Sequence, residues 1–294
     1  LELLDVIDHY VKVNVDQFHG IEIEEWPAQI ARVAMWLIDH QMNELVGKEL
    51  GNTFVRIPLV KSANIVQGNA LQVPWEEVLP PKKCSFLFGN PPFLGHHYQS
   101  KEQKADHARN MAEAGLTGAG VIDFVANWHV RSVPYLQQNP RIRAAFVSTN
   151  SITQGEQAGI LWSLLLEHGV RINFAHRTFQ WSSEARGAAA VHCVIVGYAL
   201  HDVPKKLIFE YDTPRSDPHT ITATNINPYL ADGPDVLARN RRTPISNVPP
   251  MRWGNKPTDG GHLILSPEEK KALLKNDPGA APYVRRFMGG GDFI

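Results

Sequence analysis

Cysteine is scarce: Cys84 and Cys193 are the only two in 294 residues. Both sit in apolar, strand-like runs, which excludes a disulfide framework and the paired spacing of a zinc site. That usage fits a reduced, cytoplasmic protein. The 13 histidines show no metal pattern, and no Ser-His-Asp or Cys-His arrangement for nucleophilic catalysis can be assembled. Long apolar runs are missing too; no stretch approaches the roughly 18 residues that a membrane-spanning helix needs. The first residues, Leu1-Glu2-Leu3-Leu4-Asp5, carry neither an initiator Met nor the pattern of a secretory signal. We read the chain as beginning inside a longer polypeptide.

Strong net charge is also absent, at −1. Its distribution is uneven. Residues 1–80 hold 5 Lys+Arg against 12 Asp+Glu, residues 81–200 hold 11 against 7, and residues 201–294 hold 13 against 11. Arg239, Arg241 and Arg242 form the tightest basic group. A nucleic-acid-binding protein needs a local positive face rather than a basic whole, although solvated surface alone gives so mild an asymmetry.

What is present is an ordinary globular composition, with 43% hydrophobic and 20% charged residues. The length suits one large α/β domain plus a smaller appendage. Helical spacing of Leu3, Leu4, Ile7, Tyr10 and Val11 predicts a helix over residues 1–14. A short strand follows over 18–23. Glu24 and Glu25 open a helix whose apolar face is Trp26, Ile30, Val33, Ala34, Leu37 and Ile38. Strands are predicted over 63–67, 84–88, 143–148, 171–176 and 188–200, and helices over 100–114, 122–135 and 159–168. This alternation suits a parallel sheet with helical crossovers. After Leu200 the composition turns to Pro, Asn, Thr, Asp and Gly, and residues 213–262 read as loop-rich. Ser266-Pro267-Glu268-Glu269 is a helix start.

The organising stretch is Cys84-Ser85-Phe86-Leu87-Phe88-Gly89-Asn90-Pro91-Pro92-Phe93. Phe86, Leu87 and Phe88 run without polar interruption, as in a parallel strand covered on both faces. Two prolines cannot donate to a sheet ladder, so the strand stops and a rigid loop follows. Loops at the carboxyl ends of strands are where open α/β sheets bind ligands. Asn90-Pro91-Pro92-Phe93 resembles the motif of amino-group methyltransferases that use S-adenosylmethionine, and most closely the adenine-N6 DNA methyltransferases of restriction–modification or phage-defence systems, including nuclease-fused enzymes.

The resemblance implies a fold and a chemistry. The fold is α/β, a Rossmann-like class I methyltransferase sheet, N-terminally truncated, with a loop-rich C-terminal extension. The chemistry is methyl transfer to the N6 amine of an adenine flipped out of double-stranded DNA. That amine is a poor nucleophile, because its lone pair is delocalised into the ring. Acceptors at the Asn90 side chain and the Pro91 carbonyl, held rigid with Pro92, would orient it, and Phe93 would stack on the base. Upstream, Gly20-Ile21-Glu22-Ile23 resembles the acidic motif, with Glu22 on the cofactor ribose and Ile23 against its adenine. Gln67-Gly68-Asn69-Ala70 resembles the next motif, with Asn69 in place of the more usual Asp. Downstream, Asp123-Phe124-Val125-Ala126-Asn127-Trp128 resembles the helix lining the cofactor pocket. Phe179-Gln180-Trp181 resembles the late motif, where Phe179 or Trp181 packs on the flipped base.

The chain departs from the family at one place. No strand with a glycine-rich loop precedes Glu22, and Gly115-Leu116-Thr117-Gly118-Ala119-Gly120 is a decoy that no strand precedes. The resemblance therefore implies a missing N-terminal segment that completes cofactor binding. Residues 1–200 are expected to form a partial catalytic core, and residues 201–294 an extension leading to a target-recognition domain. Two alternatives stay open: a protein-glutamine or RNA-base methyltransferase, and an inactive structural or DNA-binding fragment. Arg239 to Arg242 and Met251-Arg252-Trp253-Gly254 mix basic and aromatic residues as phosphate-contacting segments do. His96 and His97 read as surface.

Overall fold

Short runs with apolar centres that end in glycine or acid, such as Phe86–Gly89 and Lys206–Glu210, become strands. The computed structural model describes residues 12–50, 61–116, 118–181, 191–239, 241, 243–249 and 258–287. Most of the helix expected over residues 1–14 lies outside them. Residues 12–14 are not helical, and a 3-10 turn, Val15–Gln17, follows.

Two strands form a small parallel sheet, β1 (His19–Glu22) and β2 (Asn64–Gln67), with Glu22 level with Gln67. Between them in sequence runs the helix α1 (Glu25–Leu50). The second sheet has six strands: β3 (Phe86–Gly89), β4 (Arg143–Thr149), β5 (Arg171–Trp181), β6 (Val191–Ala199), β7 (Lys206–Glu210) and β8 (His219–Ala223). Their spatial order is β3-β4-β6-β5-β7-β8. β3/β4 and β5/β7 are parallel, whereas β6 runs antiparallel between β4 and β5. The sheet is therefore mixed, not all-parallel. A helical turn α2 (Trp75–Val78) precedes β3, α3 (Lys101–Glu113) and α4 (Ala126–Gln138) carry the chain from β3 to β4, and α5 (Gly155–Glu167) carries it from β4 to β5. β8 lies in the stretch read from sequence as loop-rich, and β7 lies just before it, where the sequence reading predicts no strand. β8 is a polar, mostly exposed edge strand, so it lacks the apolar alternation that marks one.

The core lies between the helices and one face of the large sheet. Phe146, Leu136, Ile142, Leu161, Trp162, Leu165, Val196 and Tyr198 are buried there, and α4 packs on β4 and against α5. On β4 the alternation is strict, with Ala144, Phe146 and Ser148 buried and their neighbours less so. The glycine at 197 has a specific reason: a Cβ there would stand 2.0 Å from the Phe174 ring, which lies across the strand.

Two expectations about burial fail for one reason. β3 is not covered on both faces: Phe86 is 64% and Phe88 69% exposed, while Leu87 packs against the core. The apolar face of α1 is open as well, with Trp26 at 71% exposure and Ile30, Val33, Leu37 and Ile38 exposed. Among the described residues, no element covers either surface. Among the described residues β3 pairs with β4 alone, at the edge of its sheet, and α1 packs mainly on the two-stranded sheet.

The chain divides into two compact units, Leu1–Asn240 and Arg241–Ile294. The second contains α6 (Pro267–Asn276), opened by the expected capping box: Glu269 N donates to Ser266 Oγ at 3.2 Å, and Ser266 N donates to Glu269 Oε2 at 2.8 Å. The bond from Ser266 N, with the Ser266 hydroxyl beside it, holds the Glu269 carboxyl below its ordinary range.

Candidate active site

The loop after β3 is fixed from several sides. Register sets Gly89 level with Phe146, so Asn90 is the first residue beyond the ladder. Asn90 is exposed, Pro91 is buried, Pro92 is exposed, and Phe93 is half-buried against the hydrophobic core. The loop therefore presents a polar amide and is anchored by Pro91, while the Phe93 ring packs partly on the core and stays partly open. Just beyond, the Leu94 carbonyl accepts from Phe124 N at 3.1 Å and from Gln99 Nε2 at 3.4 Å. His96 and His97 are exposed in a 3-10 turn, His96–Tyr98.

Phe124 follows the carboxylate that organises this end of the sheet. Asp123 Oδ2 accepts from Thr149 Oγ1 at 2.9 Å and from Ser151 Oγ, and the two hydroxyl oxygens lie 2.7 Å apart. Asp123 N donates to Gln157 Oε1 at 3.0 Å. One acid thus ties the segment before α4 to the end of β4 and to α5. Sequence resemblance singled out Asp123, but Thr149, Ser151 and Gln157 come from later segments and no local pattern marks them. The Gly115–Gly120 stretch lies between α3 and α4 and follows no strand, as a decoy should.

Glu22 and Asn69 stand at the carboxyl ends of adjacent parallel strands. The Glu22 carbonyl accepts from Gly68 N at 2.8 Å, and Glu22 Oε1 accepts from Glu24 N at 3.2 Å. Ile23 is exposed. Asn69 is held at both ends: its Oδ1 accepts from Leu71 N at 2.9 Å and its Nδ2 donates to Asp106 Oδ2 at 2.7 Å. The Ala70 carbonyl accepts from Trp75 Nε1 at 2.9 Å. Arg131 on α4 pins the same turn, donating to the carbonyls of Leu71 and Val73 at 3.0 Å each. Asp106 and Arg131 have no sequence signature, since each acts across more than 30 residues.

Phe179 shares an end of the sheet with Asn90. Thr149 pairs with Cys193, which pairs with Phe179, three residues beyond the row containing Phe146 and Gly89. The β3 ladder ends at Gly89, and Asn90 to Phe93 continue past it at that end of the sheet; three strand spacings, about 14 Å, separate the lines of β3 and β5. Phe179 stacks on Tyr211 with centroids 5.4 Å apart. Tyr211 Oη lies 2.7 Å from His176 Nδ1, and the His176 ring stacks on Phe209 at 4.2 Å. Burial holds the His176 imidazole below its ordinary pKa and raises the Tyr211 phenol, so both stay neutral. Trp181 ends β5 opposite Val191; its side chain, like residues 182–190, lies outside the described set. Arg239 and Arg241 are exposed, and Arg242 and residues 251–254 are outside it too. No cluster of metal-ligating side chains occurs among the described residues, nor any helix long and apolar enough to cross a membrane.

Comparison with known proteins gives this geometry a family. Residues 2–210 match the family model described as MmeI, DNA-methyltransferase domain, and residues 232–294 match MmeI, target recognition domain. A curated relative, DNA methyltransferase A of Bacillus subtilis (strain 168), is 37% identical over all of this chain, which spans 33% of that protein. A solved structure of the Type IIL restriction-modification enzyme MmeI in complex with DNA superimposes with a TM-score of 0.82 at 54% identity; it covers 98% of this chain, which spans 38% of that one. The chain is thus about a third of the length of these relatives. Its mixed α/β sheet is the Rossmann-like methyltransferase sheet that the sequence led us to expect, and the chain belongs to the MmeI DNA-methyltransferase family.

Proposed function

We propose that the chain carries the substrate half of a DNA methyltransferase that transfers a methyl group from S-adenosylmethionine to the N6 amine of a flipped-out adenine. The enzyme would act in the cytoplasm as part of a restriction–modification system. The carrying observation is the exposed Asn90 on a loop held by buried Pro91 at the carboxyl end of β3. Family membership supports the reading.

The residues divide the work by position. The Asn90 amide oxygen and the Pro91 carbonyl accept the two amine hydrogens and turn the nitrogen lone pair outward. Such fixed acceptors lower the barrier without proton transfer, because they are oriented before the substrate arrives. Phe93 and Phe179, with Trp181 as an alternative to the latter, stack on the base and offset the few kcal/mol that unstacking costs. Asp123, through Thr149, Ser151 and the bond from Phe124 N to the Leu94 carbonyl, keeps the loop in register with β4.

The donor set fits the adenosine half of S-adenosylmethionine. Glu22 offers a carboxylate suited to ribose hydroxyls, Asn69 offers an acceptor, and Ile23 and Ala70 flank them. When bound, that cofactor supplies an electrophilic methyl group on sulfonium. The remaining contacts would come from polypeptide outside this chain. β1 and β3 each have one edge without a partner strand among the described residues, and the exposed Phe86 and Phe88 flank one of them. The target-recognition domain would likewise continue beyond this chain and provide double-stranded DNA contacts.

The product decides between substrates. The full-length enzyme should convert adenine in duplex DNA to N6-methyladenine, identified by mass spectrometry of digested nucleosides. Methylated cytosine, or methyl transfer to protein or RNA in place of DNA, would overturn the assignment.

A further inference from the structure

Asp106 on α3 is 3% exposed, and nothing in the chemistry above uses it. Its carboxylate accepts from Asn69 Nδ2 at 2.7 Å, from Gln72 Nε2 at 3.0 and 3.2 Å, and from the Arg109 guanidinium. The turn after β2 thus directs two side-chain amides into one buried acid.

A carboxamide has two ends of nearly equal size, so shape alone does not decide which end meets a ligand. Here the partners decide. A carboxylate only accepts and a backbone N–H only donates, and they grip opposite ends of Asn69: Nδ2 faces Asp106, and Oδ1 faces Leu71 N at 2.9 Å. Rotating the amide by half a turn would oppose oxygen to carboxylate and NH2 to N–H. Oδ1 is therefore fixed, and its second lone pair is what the side chain can offer outward. That is an acceptor, suited to an exocyclic amine and not to an exocyclic oxygen.

We propose that Asp106 is a positioning residue that locks Asn69 as an acceptor and so makes the adenosine site select a 6-amino purine over a 6-oxo purine. The inference rests on the cofactor role proposed for Asn69. It also accounts for the departure from Asp at this position. A carboxylate at 69 would stand against the carboxylate at 106, separated by the 2.7 Å that now spans a hydrogen bond. Positions 69 and 106 form a matched pair holding one negative charge.

Calorimetry on the full-length enzyme tests this with S-adenosylhomocysteine and its 6-oxo counterpart, S-inosylhomocysteine. The wild type should bind the first at least tenfold more tightly. Asp106→Asn should cut that ratio at least fivefold, because the amide at 69 is then free to turn. Asn69→Asp alone should weaken binding and lower the melting temperature. Combining Asn69→Asp with Asp106→Asn restores one acid and one amide, and should return the ratio and the melting temperature close to wild type. A purely structural Asp106 would change the melting temperature and leave the ratio alone. An Asp106→Asn enzyme that binds with the wild-type ratio overturns the inference and leaves the cofactor reading standing. A double variant that is unfolded, or folded without recovery, also overturns it. A wild type that binds neither compound refutes the cofactor reading, and this inference with it.

Discussion

Lowering the pH should destabilise the catalytic unit through one buried histidine. His129 lies on α4, with no exposed surface and no charged neighbour among its contacts. Its Nε2 lies 2.9 Å from Ser148 Oγ, its Nδ1 has no hydrogen-bond partner, and its ring stacks on Tyr198 and meets Phe146 edge-on. Burial alone pushes its pKa down to about 3, from an ordinary 6.5. Between those values the unfolded chain binds a proton that the folded chain refuses, so stability is full above about pH 6.5 and falls as the pH drops. One proton changes stability by about 1.4 kcal/mol per pH unit, which amounts to about 2 kcal/mol at pH 5 and about 4 kcal/mol as the pH nears 3. Carboxylates add their own dependence at the acid end, so the informative quantity is a difference between proteins. Urea unfolding of wild type and His129→Gln across pH 8 to 4.5 should show a shallower slope in the variant, by close to one proton, whatever its stability at pH 8. Parallel slopes would refute the reasoning and point to a protonated or hydrated His129 in the folded state.

Other consequences are more local. Gly197→Ala drives a methyl group into the Phe174 ring, and should cost about 1–3 kcal/mol by chemical denaturation; no measurable loss would show that the ring moves freely. Asp123→Ala removes the acceptor of two hydroxyls at the end of β4, and should cost about 2 kcal/mol and slow methyl transfer with little change in cofactor affinity. Ser100→Ala deletes the cap of α3, where Gln103 N donates to Ser100 Oγ at 3.2 Å, and should cost about 1 kcal/mol by thermal unfolding.

The legible parts of this chain are those in which chemistry is local. The run Phe86-Leu87-Phe88 with its terminating prolines announced β3 and the loop, and Ser266 through Glu269 announced a cap that forms atom for atom. Strand ends bearing Glu22 and Asn69 followed from composition and resemblance, and both residues stand at such ends. Contacts made across the fold were not legible. Asp106 reaches Asn69 from a helix 37 positions later, and Thr149 and Ser151 meet Asp123 only because β4 ends beside α4. The apolar faces of α1 and β3 promised burial, yet lie open among the described residues, because periodicity records that a face needs a partner without saying which segment supplies it. β7 and β8 escaped notice for the opposite reason. Their ladders are set by pairing to β5 and to each other, and little apolar pattern is needed on an exposed edge.

The central claim is that Asn90 orients a DNA amine for methylation, and single-turnover transfer of labelled methyl to duplex DNA tests it most directly. Asn90→Ala in the full-length enzyme should reduce the rate by roughly 100-fold or more, the cost typical of losing one preorganised transition-state contact. Affinity for DNA and for S-adenosylhomocysteine should stay near wild type, because Asn90 is exposed and supports no other described contact. Transfer at the wild-type rate by that variant would contradict the account.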